Sequence, residues 1–191
     1  TSFSASAQDC TYDTVRATMN PDLFIQNDDG TVSDVRNGLL WQKCSLGQTA
    51  TEAGCSGVPT TFATWQEALQ AAEQFNTDNN LEGAERWRLP NIKELSAIVE
   101  YACVAPSIDL TVFPDTPNGR FWTSTPTAGG LGARVIDFTD AQEDLVKYVS
   151  NNGSINIFLP GTYSVEVTVE DEAGHTDVVT FDVKVLKAMA S

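Results

Sequence analysis

Four thiols, one imidazole and a cluster of side-chain oxygens are the groups of this chain with chemistry to offer. The thiols are Cys10, Cys44, Cys55 and Cys103, and the sole imidazole is His175. An even number of cysteines with no Cys-x-x-Cys pair points to disulfides rather than to zinc or dithiol redox chemistry. Zinc would also ask for histidine. Three pairings are open, and we expect Cys44–Cys55 with Cys10–Cys103. The first closes a short loop rich in Gly, Thr and Ala that packing alone would not hold, and it is worth about 3 kcal/mol on the chain-entropy view. Two bridges imply an oxidising compartment, hence an exported protein, extracellular or at the cell surface. With the thiols paired and His175 in an expected hairpin turn, no nucleophile–base pair presents itself. The chain is therefore read as no enzyme.

The oxygens gather at Asn27-Asp28-Asp29-Gly30, with Asp34 four residues beyond. Hard cations take several oxygen ligands from tight turns. Asn27, Asp28, Asp29 and Asp34 are therefore the candidate metal ligands, and Ca2+ the candidate cofactor. The segment lacks the twelve-residue spacing and closing glutamate of an EF-hand. Asp29-Gly30 is equally the signature of a hairpin turn. A second acidic group, Glu170-Asp171-Glu172 with Asp177, reads as a solvated turn.

Composition narrows the partners. The 191 residues carry 11 Lys/Arg against 26 Asp/Glu, a net charge of −15. Such a surface repels phosphate backbones, so nucleic acid is not an expected partner, and anionic membranes are disfavoured alike. No run approaches the roughly 18 apolar residues of a membrane span. The start, Thr1 to Ser6, reads as a trimmed N-terminus rather than a signal peptide.

The elements that must position these groups are short. Leu23-Phe24-Ile25, Thr31 to Val35 and Leu39 to Cys44 read as strands, separated by the turns Asn27–Gly30 and Asn37-Gly38. Thr64 with Glu67 forms a capping-box pattern ahead of Trp65, Ala68, Leu69, Ala72 and Phe75 at helical spacing. Asn91 with Glu94 opens a second helix whose apolar face would be Leu95, Ile98, Val99 and Ala102. Phe121 to Ser124 and Ala133 to Phe138 follow as strands. Beyond 138 the alternation Val165, Val167, Val169 and Val179, Phe181, Val183 predicts a hairpin with one apolar face.

Five segments stand in a telling order: Asp29 to Val32, Gly38-Leu39-Leu40-Trp41-Gln42-Lys43-Cys44, Thr64-Trp65-Gln66-Glu67-Ala68, Trp87-Arg88-Leu89-Pro90-Asn91-Ile92-Lys93-Glu94-Leu95, and Phe121 to Pro126. Together they resemble the Lcl C-terminal domain family, exported bacterial domains of unknown function, over about residues 22–138. The resemblance implies an α+β, C-type-lectin-like domain with two helices and a twisted antiparallel sheet. It implies an extracytoplasmic recognition module: some relatives stand at the ends of adhesins and bind sulfated polysaccharides. It also implies a kinship with formylglycine-generating oxidases, whose reactive cysteines this chain would lack. The tail, Pro160 to Thr176 and onward, resembles the last strands of an immunoglobulin-like or PKD-type domain.

The expected organisation is a lead-in, 1–21, tied by Cys10; a lectin-like domain, 22–138; and a β-rich tail, 139–191. The function expected is adhesion or recognition at the cell surface, with a glycan or a surface protein as partner. The alternative is a subunit of an extracellular fibre or pilus-like polymer. There the partner is another copy, reached by strand donation through Val165, Val167, Val179, Phe181 and Val183. A formylglycine-generating-like oxidase is a third and distant reading.

Overall fold

The structure, a computed structural model, describes residues 7–81, 86–128 and 132–147, together with the backbone of 156–157, 165–170, 176–181 and 186–187. In chain order the strands are β1 (Asp9–Cys10), β2 (Phe24–Gln26), β3 (Thr31–Asp34), β4 (Leu39–Gln42), β5 (Thr49–Thr51), β6 (Gly54–Ser56), β7 (Cys103–Val104), β8 (Arg120–Pro126), β9 (Gly132–Asp137), β10 (Gln142–Lys147), β11 (Asn156–Ile157), β12 (Val165–Glu170), β13 (Thr176–Phe181) and β14 (Leu186–Lys187). Two helices, α1 (Trp65–Asp78) and α2 (Ile92–Ser96), lie between β6 and β7. Two four-stranded sheets have the orders β14-β4-β3-β2 and β10-β9-β8-β11, and the pairs β1–β7, β5–β6 and β12–β13 stand apart. All pairings are antiparallel except β14 on β4 and β11 on β8.

The fold is thus mostly β, built from several small sheets. This overturns the α+β, C-type-lectin-like class expected from the sequence: among the described residues no clear lectin pattern of two helices on one twisted antiparallel sheet is present. Part of the reason lies after Asn91. Leu95, Ile98, Val99 and Ala102 are all buried, as the helical spacing requires, but only Leu95 belongs to α2. The N–H groups of Ile98 and Val99 donate only three residues back, to the carbonyls of Leu95 and Ser96. The Glu100 N–H then crosses to the Ser107 carbonyl at 3.0 Å, and Cys103 leaves to pair with Cys10 in β1. Successive tight turns bury the same i, i+3 spacing as an α-helix, so periodicity alone does not separate them.

Helix α1 forms where the local signals place it. The Thr64 side chain accepts from Glu67 N–H while Glu67 returns to the Thr64 N–H, a complete capping box. Ala68 and Ala72 are buried, with Trp65 and Phe75 packed beside them.

Three strands are buried on both faces and divide the core in two. Leu39 and Trp41 of β4, Phe121 of β8 and Ile136 of β9 join Ile98, Phe113 and Phe138 in one cluster. Their neighbours Leu40, Trp122 and Val135 join Ala68, Trp87 and Leu89 in the other. Successive side chains of a strand face opposite ways, so a strand between two cores reads as an unbroken apolar run. Leu39-Leu40-Trp41 is such a run.

From residue 7 on, the lead-in is tied to the rest of the chain at several points. Cys10 bonds to Cys103. The Gln8 side chain donates to the carbonyls of Pro106 and Ile108 at 2.7 and 2.6 Å. Met19 is itself buried in the first core.

Candidate functional site

The turn between β2 and β3 is built by its own polar side chains. Asp29 Oδ1 accepts from the Thr31 N–H at 3.0 Å and from its hydroxyl at 2.6 Å. Asn27 Nδ2 donates to Thr31 Oγ1 and Ser33 Oγ at 2.9 and 3.0 Å. Gly30 sits at φ +81°, and a Cβ there would lie 2.7 Å from Ala50 Cβ. Glycine is needed twice over, for the backbone angle and for the close approach of β5.

Facing this turn is the β5–β6 hairpin, closed by the Cys44–Cys55 disulfide. Its far side is braced by Asp115, whose Oδ2 accepts from the Cys55 N–H at 2.8 Å. Gln26 is braced in turn, donating through Nε2 to the Thr111 carbonyl at 2.7 Å. An open groove of about 610 Å3 lies between hairpin and turn, walled chiefly by Gln26, Asn27, Asp28, Asp29, Lys43 and Glu52. That volume is within the range of small-ligand sites, though most of those are apolar. Here the walls offer acceptors: the carboxylates of Asp28 and Glu52, Asp29 Oδ2, and the amide oxygens of Gln26 and Asn27. Lys43, whose Nζ reaches the Thr51 carbonyl at 3.5 Å, is the charged donor of the groove.

The candidate calcium ligands are not brought together. Asn27, Asp28 and Asp29 share the groove wall, but Asp34 lies three residues along β3, about 10 Å away. Asp34 is buried and caps the next turn, accepting from the N–H groups of Arg36 and Asn37 at 3.1 Å and from Asn37 Nδ2 at 2.6 Å. The cavity beside it is about 10 Å3, room for one water at most. Among the described residues no group of three or more His, Cys, Asp or Glu side chains is placed to hold a metal ion.

Of the assembly residues, Val165 stands opposite Phe181 and Val167 opposite Val179 in the β12–β13 register. Val183 and His175 lie outside the described residues. The tryptophans are structural. Trp41, Trp87 and Trp122 are buried, Trp65 Nε1 donates to the Thr123 carbonyl at 2.7 Å, and Trp122 Nε1 to the Phe62 carbonyl at 3.3 Å.

The motif around Trp87 is likewise a clamp. Asn76 Oδ1 accepts from the Trp87 N–H and its Nδ2 donates to the Trp87 carbonyl, at 2.7 and 2.8 Å. Arg88 grips Glu94 with two bonds of 2.9 and 2.7 Å. Asn91 caps α2 through Lys93 and Glu94 N–H groups. The motifs that mark the chain are therefore used by its scaffold, and a model of the Lcl C-terminal domain matches residues 30–157. The chain belongs to the Lcl C-terminal domain family. This is a family of exported bacterial domains of unknown function, and two disulfides accord with export to an oxidising compartment. No curated protein and no solved structure matches the chain. No helix among the described residues is long and apolar enough to cross a membrane. Of the motif residues, Asp29, Gly30 and Lys43 line the groove, and the last two fall within the matched domain.

Sequence reasoning missed four contributors. Glu52 and Gln26 carry no pattern of their own. Asp115 sits in a Pro-punctuated loop with nothing to link it to Cys55 sixty residues earlier. Lys43 had a usable signal: it directly precedes a cysteine whose loop must stand out from the core.

Proposed function

We propose that this chain is an extracellular, non-enzymatic recognition module that takes a hydroxyl-rich ligand, a surface glycan, in the groove between the β2–β3 turn and the β5–β6 hairpin. The observation that carries this reading is the acceptor-lined groove of about 610 Å3 on two braced walls. Sugar hydroxyls both donate to the carboxylate acceptors of these walls and accept from Lys43, and the disulfide together with Asp115 holds the walls ready, which lowers the ordering cost of binding. The non-enzymatic part is supported by the thiols, all four of which stand in disulfides. A formylglycine-type oxidation would need one of them reduced.

The test is a glycan array with the full chain, followed by calorimetry on any hit with Asp28→Asn/Glu52→Gln. Binding weakened roughly tenfold or more, with the melting temperature unchanged, supports the groove. Unchanged affinity moves the site elsewhere, and an array without hits removes the glycan reading.

A second reading, a subunit of an extracellular fibre, is favoured by a separate observation. Both four-stranded sheets carry tail strands at an edge, β14 on β4 in one and β11 on β8 and β10 on β9 in the other. Edge strands pair readily with other chains, and strand addition is a recurrent means of assembly. Electron microscopy and light scattering of concentrated full chain decide it; a monomer at every concentration sinks it.

A further inference from the structure

We propose that the surface around the β1–β7 ladder is a docking face for a basic segment of another protein, whose arginine or lysine heads lie over the rings of Tyr12 and Tyr101. The face shares no residue with the groove.

Its base is rigid. β1 and β7 pair antiparallel, with Cys10 opposite Cys103 and the disulfide joining them. The Thr11 N–H adds a bond to the Ala102 carbonyl at 2.8 Å, so the pairing runs on to the residue before Tyr12. Tyr12 follows β1 and Tyr101 precedes β7, which puts both at one end of the ladder. Ala102 and Cys103 are buried, while Tyr12 is 52% and Tyr101 55% exposed. Val15, whose N–H returns to the Thr11 carbonyl, is 40% exposed, and Val104, opposite Asp9, is 44% exposed. Single apolar side chains scattered over a surface need no explanation, but four gathered on one ladder and the turn that follows it do.

Tyr12 is exposed and yet held. Its hydroxyl donates to Cys103 Sγ at 3.1 Å, which fixes the ring at its polar end and leaves half of the side chain in water. Tyr101 is fixed through its backbone, whose N–H donates to Thr18 Oγ1 at 3.0 Å. A tyrosine ring has few torsions to freeze, and one already held loses less on binding. Rigid aromatic anchors of this kind concentrate binding energy at interfaces.

The charge around the rings selects the occupant. Asp9 and Asp13 stand on either side of Tyr12 in the chain, and both are exposed. Partial burial, then the charges of Glu100 and Asp109, raise the Tyr12 phenol, so the field at the ring is negative. Residues 7–20 and 99–111 hold four carboxylates, Asp9, Asp13, Glu100 and Asp109, against one base, Arg16. A cation over the face of a tyrosine is drawn by the ring quadrupole as well as by such carboxylates. Arginine fits best, since its planar head stacks on an aromatic face while its N–H groups reach acceptors at the side. An anionic partner meets repulsion, and a small inorganic cation leaves Val15 and Val104 uncovered. A peptide segment that carries apolar residues between its basic ones meets both demands.

The test titrates the 15N-labelled full chain with two capped peptides, one of arginine, glycine and valine, the other with glutamate in place of arginine. The arginine peptide should shift the amides of residues 9–16 and 99–104, and the glutamate peptide none. Its affinity should fall severalfold as salt is raised. Tyr101→Ser should weaken binding roughly three- to fivefold with the melting temperature unchanged, and Tyr101→Phe should restore it, because the ring rather than the hydroxyl makes the contact. Asp9→Asn/Asp13→Asn should weaken binding and flatten its salt dependence. Shifts confined to residues 26–30 and 50–52 of the groove, or an affinity indifferent to Tyr101→Ser, would show a general attraction to an acidic chain and overturn the docking face. A neutral oligosaccharide that shifts the amides around Tyr12 and Tyr101 where the arginine peptide does not would make the rings a sugar platform and overturn the basic partner. No shift with either peptide overturns it as well.

Discussion

Glu100 is buried, yet no basic side chain faces it among the contacts that hold it. Its Oε1 accepts from the Ala102 N–H at 2.8 Å and the Thr18 N–H at 3.2 Å. Its Oε2 accepts from Met19 N–H at 3.0 Å and Thr18 N–H at 3.1 Å. The carboxylate thus staples the lead-in to the turn after α2. Glu100→Gln keeps the shape and replaces one oxygen by an NH2 group. Whichever way that amide turns, either Met19 N–H or Ala102 N–H faces another donor. One buried donor left unmet costs about 1–3 kcal/mol, and the remaining bonds lose their charge assistance, about 1 kcal/mol more. The expected loss is about 2–4 kcal/mol, which for a chain of this size is a fall of roughly 5–15 °C in melting temperature. Glu100→Ala should cost more, since all three N–H groups lose their acceptor. Urea unfolding gives the free energy, and hydrogen exchange gives the place: Thr18 and Met19 amides should exchange faster before any core strand does. A Glu100→Gln chain within about 0.5 kcal/mol of the parent, with Thr18 and Met19 still protected, would refute the reasoning.

Removal of the second disulfide by Cys44→Ser/Cys55→Ser should lower stability by about 3 kcal/mol and weaken ligand binding, since one groove wall loses its closure; calorimetry alongside melting reads both, and unchanged affinity would detach the hairpin from the site. Asp115→Asn replaces the charged acceptor of the Cys55 N–H without touching the groove, and should cost about 1 kcal/mol; a neutral effect in urea melts would show that this brace carries no weight. Partial burial, then the charges of Glu100 and Asp109, hold the Tyr12 phenol above its ordinary value of 10.0. The folded chain then keeps that proton longer than the unfolded one. The stability it contributes is whole below pH about 10 and is lost as pH climbs through the raised value. Melting curves across that range should fall less steeply for Tyr12→Phe than for the parent; identical slopes would contradict it.

What the sequence by itself determined are the features decided within a few residues. The capping boxes at Thr64 and Asn91 could be read directly, because donor and acceptor lie three positions apart. So could the Asn27–Gly30 turn and the pairing of the segment around Val165–Val169 with the one that reaches Val179 and Phe181, though the second strand starts at Thr176, ahead of the alternation that marked it. The family was legible too, since its motifs are linear segments. The tertiary structure alone decided the rest. That α2 stops at Ser96 depends on Ser107 and Cys10, far along the chain, drawing residues 100–103 out of the helix. The mostly β class depends on which short strands find which edges, and a strand's pattern does not name its partner. The groove exists because Asp115 and Thr111 brace two hairpins at residues 60 and 85 positions earlier, Cys55 and Gln26. Periodicity reports which side of an element is buried, not what buries it. Contacts across such separations leave no mark on the local pattern, and so the site had to be seen in the fold.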